Sequence, residues 1–410
     1  MPAAPETAGA GAGPLPADLA AAIDDSTARV EAALVALRRD IHAHPELGRR
    51  ELRTTEVVRR SLVDASLTPR VLRGTGLICD VGSGHPVVAL RADLDALPIQ
   101  DEKSVPYRST ADGVCHACGH DVHTAVVVGA GLVLAELAAA GILSGSARLI
   151  FQPAEELTPG GALDVIEQNV LDGVTSIYAV HCDPRAPVGS VGLRSGPITG
   201  SADHVRVRLT GPGGHTSRPH LTADLVYALG RIVADVPAVL SRRFDPRAGL
   251  SLVWGSIHAG SAPNAIPRSG QVEGTVRTLD TVAWEEAPRI VSEAIEAVAA
   301  PYGVEVEVEY QRGVPPVVND PACTATLARA ATSLLGSDSV TETEQSLGGE
   351  DFAWYLGYVP GALARLGVRG PLEQGTRDLH QGGFDVDERA IGVGVRLLAG
   401  TVVTALFSVW

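Results

Sequence analysis

The stretch at residues 114–124, V-C-H-A-C-G-H-D-V-H-T, sets two cysteines, three histidines and an aspartate on eleven consecutive positions, with a glycine where a tight turn is useful. Thiolate, imidazole and carboxylate are the side chains that hold divalent transition metals, and all three alternate here on one short loop. The rest of the chain has to be organised around such a loop. The window alone leaves other readings open: a structural zinc knuckle, a redox pair at Cys115 and Cys118, or a chance grouping.

Around this loop, strand and helix patterns alternate. The stripe Val30, Leu34, Leu37 and Ile41 predicts a helix over 17–44, which Pro45 ends. Strands are expected at 76–81 and 86–91, a helix at 121–140, a strand at 146–152, a helix at 161–170 and a strand at 176–181. That order predicts a parallel sheet covered by helices. Asp93 and Asp95, Glu155 and Glu156, and His181 then fall at or just beyond the carboxyl ends of strands, while Cys118 and His120 open a helix. Ligands bind at that edge of open parallel sheets, so these residues are expected to converge on one crevice.

From about residue 199 the texture changes. Strand patterns at 203–209, 250–258, 271–279 and 304–310, with helices at 223–240 and 284–300, follow the order βαββαβ of a ferredoxin-like sandwich. A helix at 321–335, a G-G-E-D-F turn at 348–352, a strand at 364–368 and a helix at 387–407 follow. That lone strand cannot form a core, so the C-terminal part is expected to rejoin the first domain. The expected fold class is α/β: a mostly parallel-sheet domain over 17–198 and 312–410, an inserted α+β domain over 199–311, and a disordered tail at 1–16.

Composition narrows the partners. A chain of 410 residues exceeds the usual size of one core, which agrees with two domains. A net charge of -15, with Lys103 the single lysine, argues against nucleic acid and anionic membrane surfaces, which require a basic patch. The apolar stretches at 125–140 and 391–410 carry Glu136 and Arg396, so both are expected to be core helices. Five cysteines, at 79, 115, 118, 182 and 323, do not form a secreted disulfide framework, and the N-terminus lacks a signal-peptide pattern. A reducing, cytoplasmic setting is expected.

The other polar residues each admit a bland account. Glu155 and Glu156, in F-Q-P-A-E-E, can be a solvated pair, or one can bind a metal while its neighbour takes a proton from water. His181 can be a buried histidine bonded to a carbonyl, and His380 an exposed loop residue. Asp93 and Asp95 can be turn residues, partners of Arg91, or carboxylates that orient histidines. His215, in the glycine-rich G-P-G-G-H-T-S-R-P-H, suits a donor to an oxyanion or a plain turn. Asn264 and Arg277 complete the set, Arg277 either as a solvated strand residue or as a clamp on a carboxylate.

With these residues in view, the sequence resembles the M20 metallopeptidase family, and within it the amidohydrolase branch of hippurate hydrolases, N-acyl-amino-acid deacylases and plant auxin-conjugate hydrolases. The likeness is carried in order by R-A-D-L-D-A-L-P, H-A-C-G-H-D-V-H-T, F-Q-P-A-E-E, H-C-D-P, G-G-H-T-S-R-P-H, A-P-N-A-I-P and G-E-D-F, between H-x-H-P-E-L at 42–47 and H-x-x-x-F-D at 380–385.

The resemblance implies two divalent metal ions per subunit, held by Cys118, His120, Glu156, His181 and His380. A thiolate ligand favours zinc, and manganese, cobalt and nickel are compatible. It implies Glu155 as general base, Asp95 behind the ligands, and a homodimer through the inserted domain that brings His215 to the reacting carbonyl in the other subunit. Asn264 and Arg277 match positions suited to substrate polar and carboxylate groups. The implied reaction is hydrolysis of an N-acyl amino acid to a carboxylic acid and a free amino acid. A dipeptidase or N-carbamoyl-amino-acid hydrolase would use the same scaffold, and a non-catalytic binding protein the same crevice. One departure stands out: Cys115 takes the place of a usual Met, and is read as a small buried hydrophobe in preference to a thiol near the metals.

Overall fold

The computed structural model describes residues 13–371 and 377–407. Most of the tail expected at 1–16 lies outside the described residues. Within them, Leu15 already packs on the main core, and its N–H donates to Ser333 Oγ at 3.2 Å.

The strand Val87–Asp93 is buried along its whole length, its apolar start covered on both faces of the sheet and its Arg91 and Asp93 paired with each other. It pairs in parallel with Ser146–Gln152 and with Val174–Pro187, and the latter pairs in parallel with Gly361–Arg369. These four are the centre of an eight-stranded sheet in the order Arg70–Val71, Leu77–Gly82, Ser146–Gln152, Val87–Asp93, Val174–Pro187, Gly361–Arg369, Val191–Leu193, Val340–Glu342. Antiparallel pairing is confined to the flanks, among the first three strands and between Gly361–Arg369 and Val191–Leu193. Helices Ala17–Ala43, His120–Ala139 and Arg389–Phe407 bury one face. Short helices Ala162–Ile166 and Ala353–Leu356 help bury the other. By length and composition His120–Ala139 and Arg389–Phe407 could each cross a membrane, yet 72% and 83% of their apolar windows are buried inside the fold. Helices apolar all round belong in such a core.

A second body has its own core. Strands Ala202–Thr210, Ser251–Ala259, Ser269–Arg277 and Glu305–Val314 form an antiparallel sheet in which the first strand lies between the third and the fourth. Helices Leu225–Arg243 and Thr281–Ala299 cover one face. Alternation explains the arrangement: Val205, Val207 and Leu209 are buried, while Arg206 and Arg208 turn outward to Glu273, Glu309 and Glu307. Exposed ion pairs of this kind add little, whereas each fully buried Val or Leu contributes roughly 1.5–3 kcal/mol, so the apolar face holds the sheet.

The structure also departs from the sequence reading. Helix Leu52–Asp64 was not anticipated: it buries only Thr54, Thr55, Val58 and Leu62, a narrow and half-polar stripe. The helix expected at 161–170 shrinks to Ala162–Ile166. Among the described residues, the C-terminal part contributes three strands, Val317–Asn319, Val340–Glu342 and Gly361–Arg369, instead of one. The strand expected to end at His181 runs on to Pro187, so His181 lies inside it.

Candidate active site

Gly119 makes the turn between Cys118 and His120. Its φ is +88°, and a Cβ there would lie 2.7 Å from Cys182 Sγ, so only glycine meets both demands. The turn brings Cys118 Sγ to 3.5 Å from His181 Nε2, and the ligand-type atoms of Cys118, His120 and His181 all lie within 4.8 Å of one another. His120 Nδ1 lies 2.9 Å from the Asp95 carbonyl, and His181 Nδ1 lies 2.9 Å from the Cys182 carbonyl. A carbonyl can only accept, so each ring turns its Nε2 toward the cluster.

The opposite wall comes from the turn after Ser146–Gln152. Ala154 takes a left-handed φ of 55°, and Asp95 accepts the N–H groups of Glu155 and Glu156 at 3.1 and 3.0 Å. Glu155 Oε2 and Glu156 Oε1 each stand 3.9 Å from His120 Nε2. His380 Nε2 lies 3.2 Å from Glu156 Oε1, and the His380 N–H donates to the Ala117 carbonyl at 2.8 Å. His380 is itself left-handed, with φ 61°. Such backbone costs on the order of 1–3 kcal/mol per residue and tends to gather where a side chain must be aimed. Cys118, Glu156 and His380 form one further group of atoms within 4.8 Å, and His120, Glu155 and Glu156 another.

The donor set fits a pair of divalent cations. His120 Nε2 is buried and has no hydrogen-bond partner among the described residues. Burial pushes the Cys118 thiol well above its ordinary range, with His120 opposing. Burial would lower the pKa of His120, but Asp93 and Cys118 outweigh it and lift the imidazole well above 6.5. His181 is held well below its ordinary value by burial, with Arg365 and His123 adding to the effect. An anion-rich pocket with two imidazoles and a thiol aimed inward is the chemistry of a divalent-metal site. Burial, reinforced by Glu350, Glu156 and Asp351, pushes Glu155 well above the carboxylate range, which suits a group that takes up and returns a proton near neutral pH.

Buried ion pairs brace the floor. Arg91 bonds Asp93, Gln152 and Asp351, and Asp93 accepts from His123 Nδ1 at 2.7 Å. Arg38 bonds Asp121 at 2.6 Å and Asp385 at 2.9 Å, tying the helix start to the segment that follows His380.

A cleft of about 340 Å³ opens on the cluster, lined by Cys118, Glu155, Glu156, His181 and His380 from one side and by Ala202, His204 and Arg277 from the ferredoxin-like body. Asp95 and His120 are buried and do not line this cleft. His215 and Asn264 do not line this cleft. They sit together on the exposed ribbon of strands Gly214–His215 and Ala265–Ile266, where the Thr216 N–H donates to the Asn264 carbonyl at 3.3 Å. Arg277 lines the cleft, and its guanidinium donates to the Leu347 carbonyl. The sequence reading missed Glu350 and Arg365, which also line it. G-E-D-F carried a signal for Glu350, and a lone arginine inside the apolar run G-A-L-A-R-L-G carried one for Arg365.

The profile of peptidase family M20/M25/M40 matches residues 89–404. The chain belongs to this family. Among M20 relatives, the N-acetylcysteine deacetylase of Bacillus subtilis is 37% identical over 379 residues, which cover 91% of this chain and 97% of that protein. The crystal structure of the Bacillus subtilis YXEP protein, a dinuclear metal-binding M20 peptidase, superposes with a TM-score of 0.81 at 34% identity, covering 93% of this chain and 99% of that one. A Rhodococcus jostii protein that carries the name of a glutamate–cysteine ligase is 51% identical over 377 residues, but this chain spans only 47% of its length. The M20 chain has the fold and the donor cluster of a metal-dependent amidohydrolase with a divalent metal pair.

Proposed function

We propose that the chain hydrolyses the amide bond of N-acyl amino acids, with Cys118, His120, Glu156, His181 and His380 holding the metal pair and Glu155 acting as general base. The observation that carries this reading is the position of Glu155: a nearly buried carboxylate on the cleft wall, 3.9 Å from His120 Nε2, on a turn clamped by Asp95. A divalent pair, when bound, polarises an amide carbonyl and lowers the pKa of a water to roughly 7. Glu155 takes the proton of the attacking water and returns it to the departing amine. Asp95 keeps His120 and the Glu155–Glu156 turn in register while this happens. Arg277, on the cleft wall, is placed in this reading on the substrate carboxylate.

The same reading assigns residues 17–198 and 312–410 to the catalytic domain, 199–311 to a lid and 1–16 to a tail. His215 and Asn264, exposed and away from their own cleft, act in the cleft of a second copy in a homodimer formed through the lid. Zinc is the metal favoured by the Cys118 thiolate, and five buried free cysteines suit a cytoplasmic setting. The deacetylase name of the Bacillus relative supports a small acyl group.

The test is hydrolysis of acetyl, benzoyl and long-chain acyl amino acids, free-amine dipeptides and N-carbamoyl amino acids by the metal-reconstituted chain, with and without Glu155→Gln. Turnover of acyl amino acids that falls at least about a hundredfold in the variant is expected. Unchanged turnover in Glu155→Gln would sink the proposed base, and activity confined to dipeptides or carbamoyl compounds would overturn the substrate class.

A further inference from the structure

Three arginines in the catalytic body are nearly or wholly buried: Arg38 and Arg91 at 1% exposure and Arg365 at 8%. The first two are saturated. Arg38 bonds Asp121 and Asp385, and Arg91 bonds Asp93, Gln152 and Asp351. Arg365 is different: among the described residues no carboxylate comes within 4.0 Å of its guanidinium, and no acceptor takes a hydrogen bond from it. It sits on the strand Gly361–Arg369, in register with His181 on the neighbouring strand, and lines the cleft beside Cys118, His181 and Glu350. Packing does not call for a cation there, since Ala362, Leu363, Ala364 and Leu366 around it are apolar and buried. Glu350 and Asp183 act on it only from beyond 4.0 Å, and a guanidinium so nearly buried, opening only on the cleft, is one whose counter-ion arrives with the ligand.

We propose that Arg365 is the counter-charge for a second carboxylate on the substrate, so that the preferred substrates are N-acyl amino acids bearing two carboxylates. This rests on the reading of the cleft as an N-acyl-amino-acid site. Arg277 reaches the cleft from the lid and Arg365 from the sheet, so the two cations meet the substrate from different bodies of the protein. A planar guanidinium in a water-poor wall forms paired, charge-assisted hydrogen bonds with a carboxylate, which an uncharged substituent cannot replace. The second carboxylate can belong to the acyl group or to the amino-acid side chain. These are two sources of one chemistry, and the substrates chosen below separate them.

Three substrates suffice: N-acetyl-L-methionine with one carboxylate, N-succinyl-L-methionine with the second on the acyl group, and N-acetyl-L-glutamate with the second on the amino acid. For the metal-reconstituted full-length chain, kcat/KM for one of the two dianions is expected to exceed that of N-acetyl-L-methionine by about tenfold or more. Arg365→Met is expected to collapse that ratio toward one, chiefly through KM, and Arg365→Lys to keep part of it. A wild-type ratio near one for both dianions overturns the proposal. So does an Arg365→Met loss that is equal for all three substrates, which would mean that Arg365 only neutralises the acidic floor around Glu350. Calorimetric titration of the same compounds into Glu155→Gln protein supplies an independent readout. Dianion-selective binding without any hydrolysis by the wild type would refute the amidohydrolase reading and leave this one standing, and hydrolysis without selectivity would do the reverse.

Discussion

Asp95 holds Glu156 by its backbone, the carboxylate Oδ2 accepting the Glu156 N–H at 3.0 Å. The other oxygen accepts the Glu155 N–H at 3.1 Å and lies 3.3 Å from His120 Nδ1. One buried side chain therefore sets the angle of an imidazole and of the turn carrying both glutamates.

Asp95→Asn leaves only one carbonyl oxygen for two N–H groups and sets an NH₂ against the turn. Loss of such outer partners commonly costs about 10–100-fold in metal affinity or activity, and a drop of that size is expected here. Metal titration and kcat measured on protein with an unchanged circular-dichroism spectrum would check it. A variant with wild-type metal affinity and kcat would refute the coupling.

Gly119→Ala adds a Cβ at φ +88° and 2.7 Å from Cys182 Sγ. Backbone strain and overpacking together should cost on the order of 2–5 kcal/mol and displace Cys118 from His120. The expected outcome is a lowered melting temperature together with a loss of bound metal. Retention of both would show that the loop tolerates a side chain at this turn.

Cys115 and Cys118 should behave differently on removal. Cys115 is fully buried, its thiol is pushed up to about 11 mainly by burial, and its backbone pairs with Leu97. Cys115→Ala should cost about 1–2 kcal/mol as a small cavity and keep the metals. Cys118→Ala should lose most bound metal and activity. Metal stoichiometry by elemental analysis separates the two, and equal losses would favour a knuckle or redox pair.

The pH profile of stability should show the His42–Asp101 contact. Asp101 is buried, which would raise its pKa, but the His42 imidazole 3.6 Å away and hydrogen bonds from the Ser109 and Lys103 backbone N–H groups hold it well below its ordinary 3.8. Burial would lower His42, but Asp121 and Asp101 outweigh it and lift the imidazole above 6.5. The folded Asp101 carboxyl resists protonation, so its contribution is present above pH 3.8 and lost as the pH falls. The folded His42 imidazole keeps its proton, so its contribution is full below pH 6.5 and lost as the pH rises through the folded value. Stability from the pair should therefore be greatest between pH 3.8 and 6.5. Asp101→Asn should lower it on the order of 1–3 kcal/mol and flatten the acid limb, and His42→Gln should flatten the alkaline limb. Urea unfolding across that range and on either side of it is the measurement. Parallel profiles for variant and wild type would show that the contact carries no proton linkage.

Sequence by itself determined the parts of this protein that depend on local pattern. Apolar runs of strand length, a proline-free helix after the histidine loop and the βαββαβ order of the second body follow from side-chain periodicity, and ordered motifs marked Cys118, His120, Glu155, Glu156, His181 and His380. Tertiary structure alone decided what those residues face. Helix Leu52–Asp64 is weakly patterned because only four of its residues are buried, and packing supplies the rest of its definition. His215 and Asn264 read like cleft residues yet lie on an exposed ribbon, because the turn that holds them pairs with its own neighbour and not with the metal-site walls. Arg365 reads like an accident in an apolar strand until His181 is seen beside it in the sheet. Direction and partnership across a sheet depend on pairing between segments far apart in the chain, and no local pattern encodes which residue will stand opposite another.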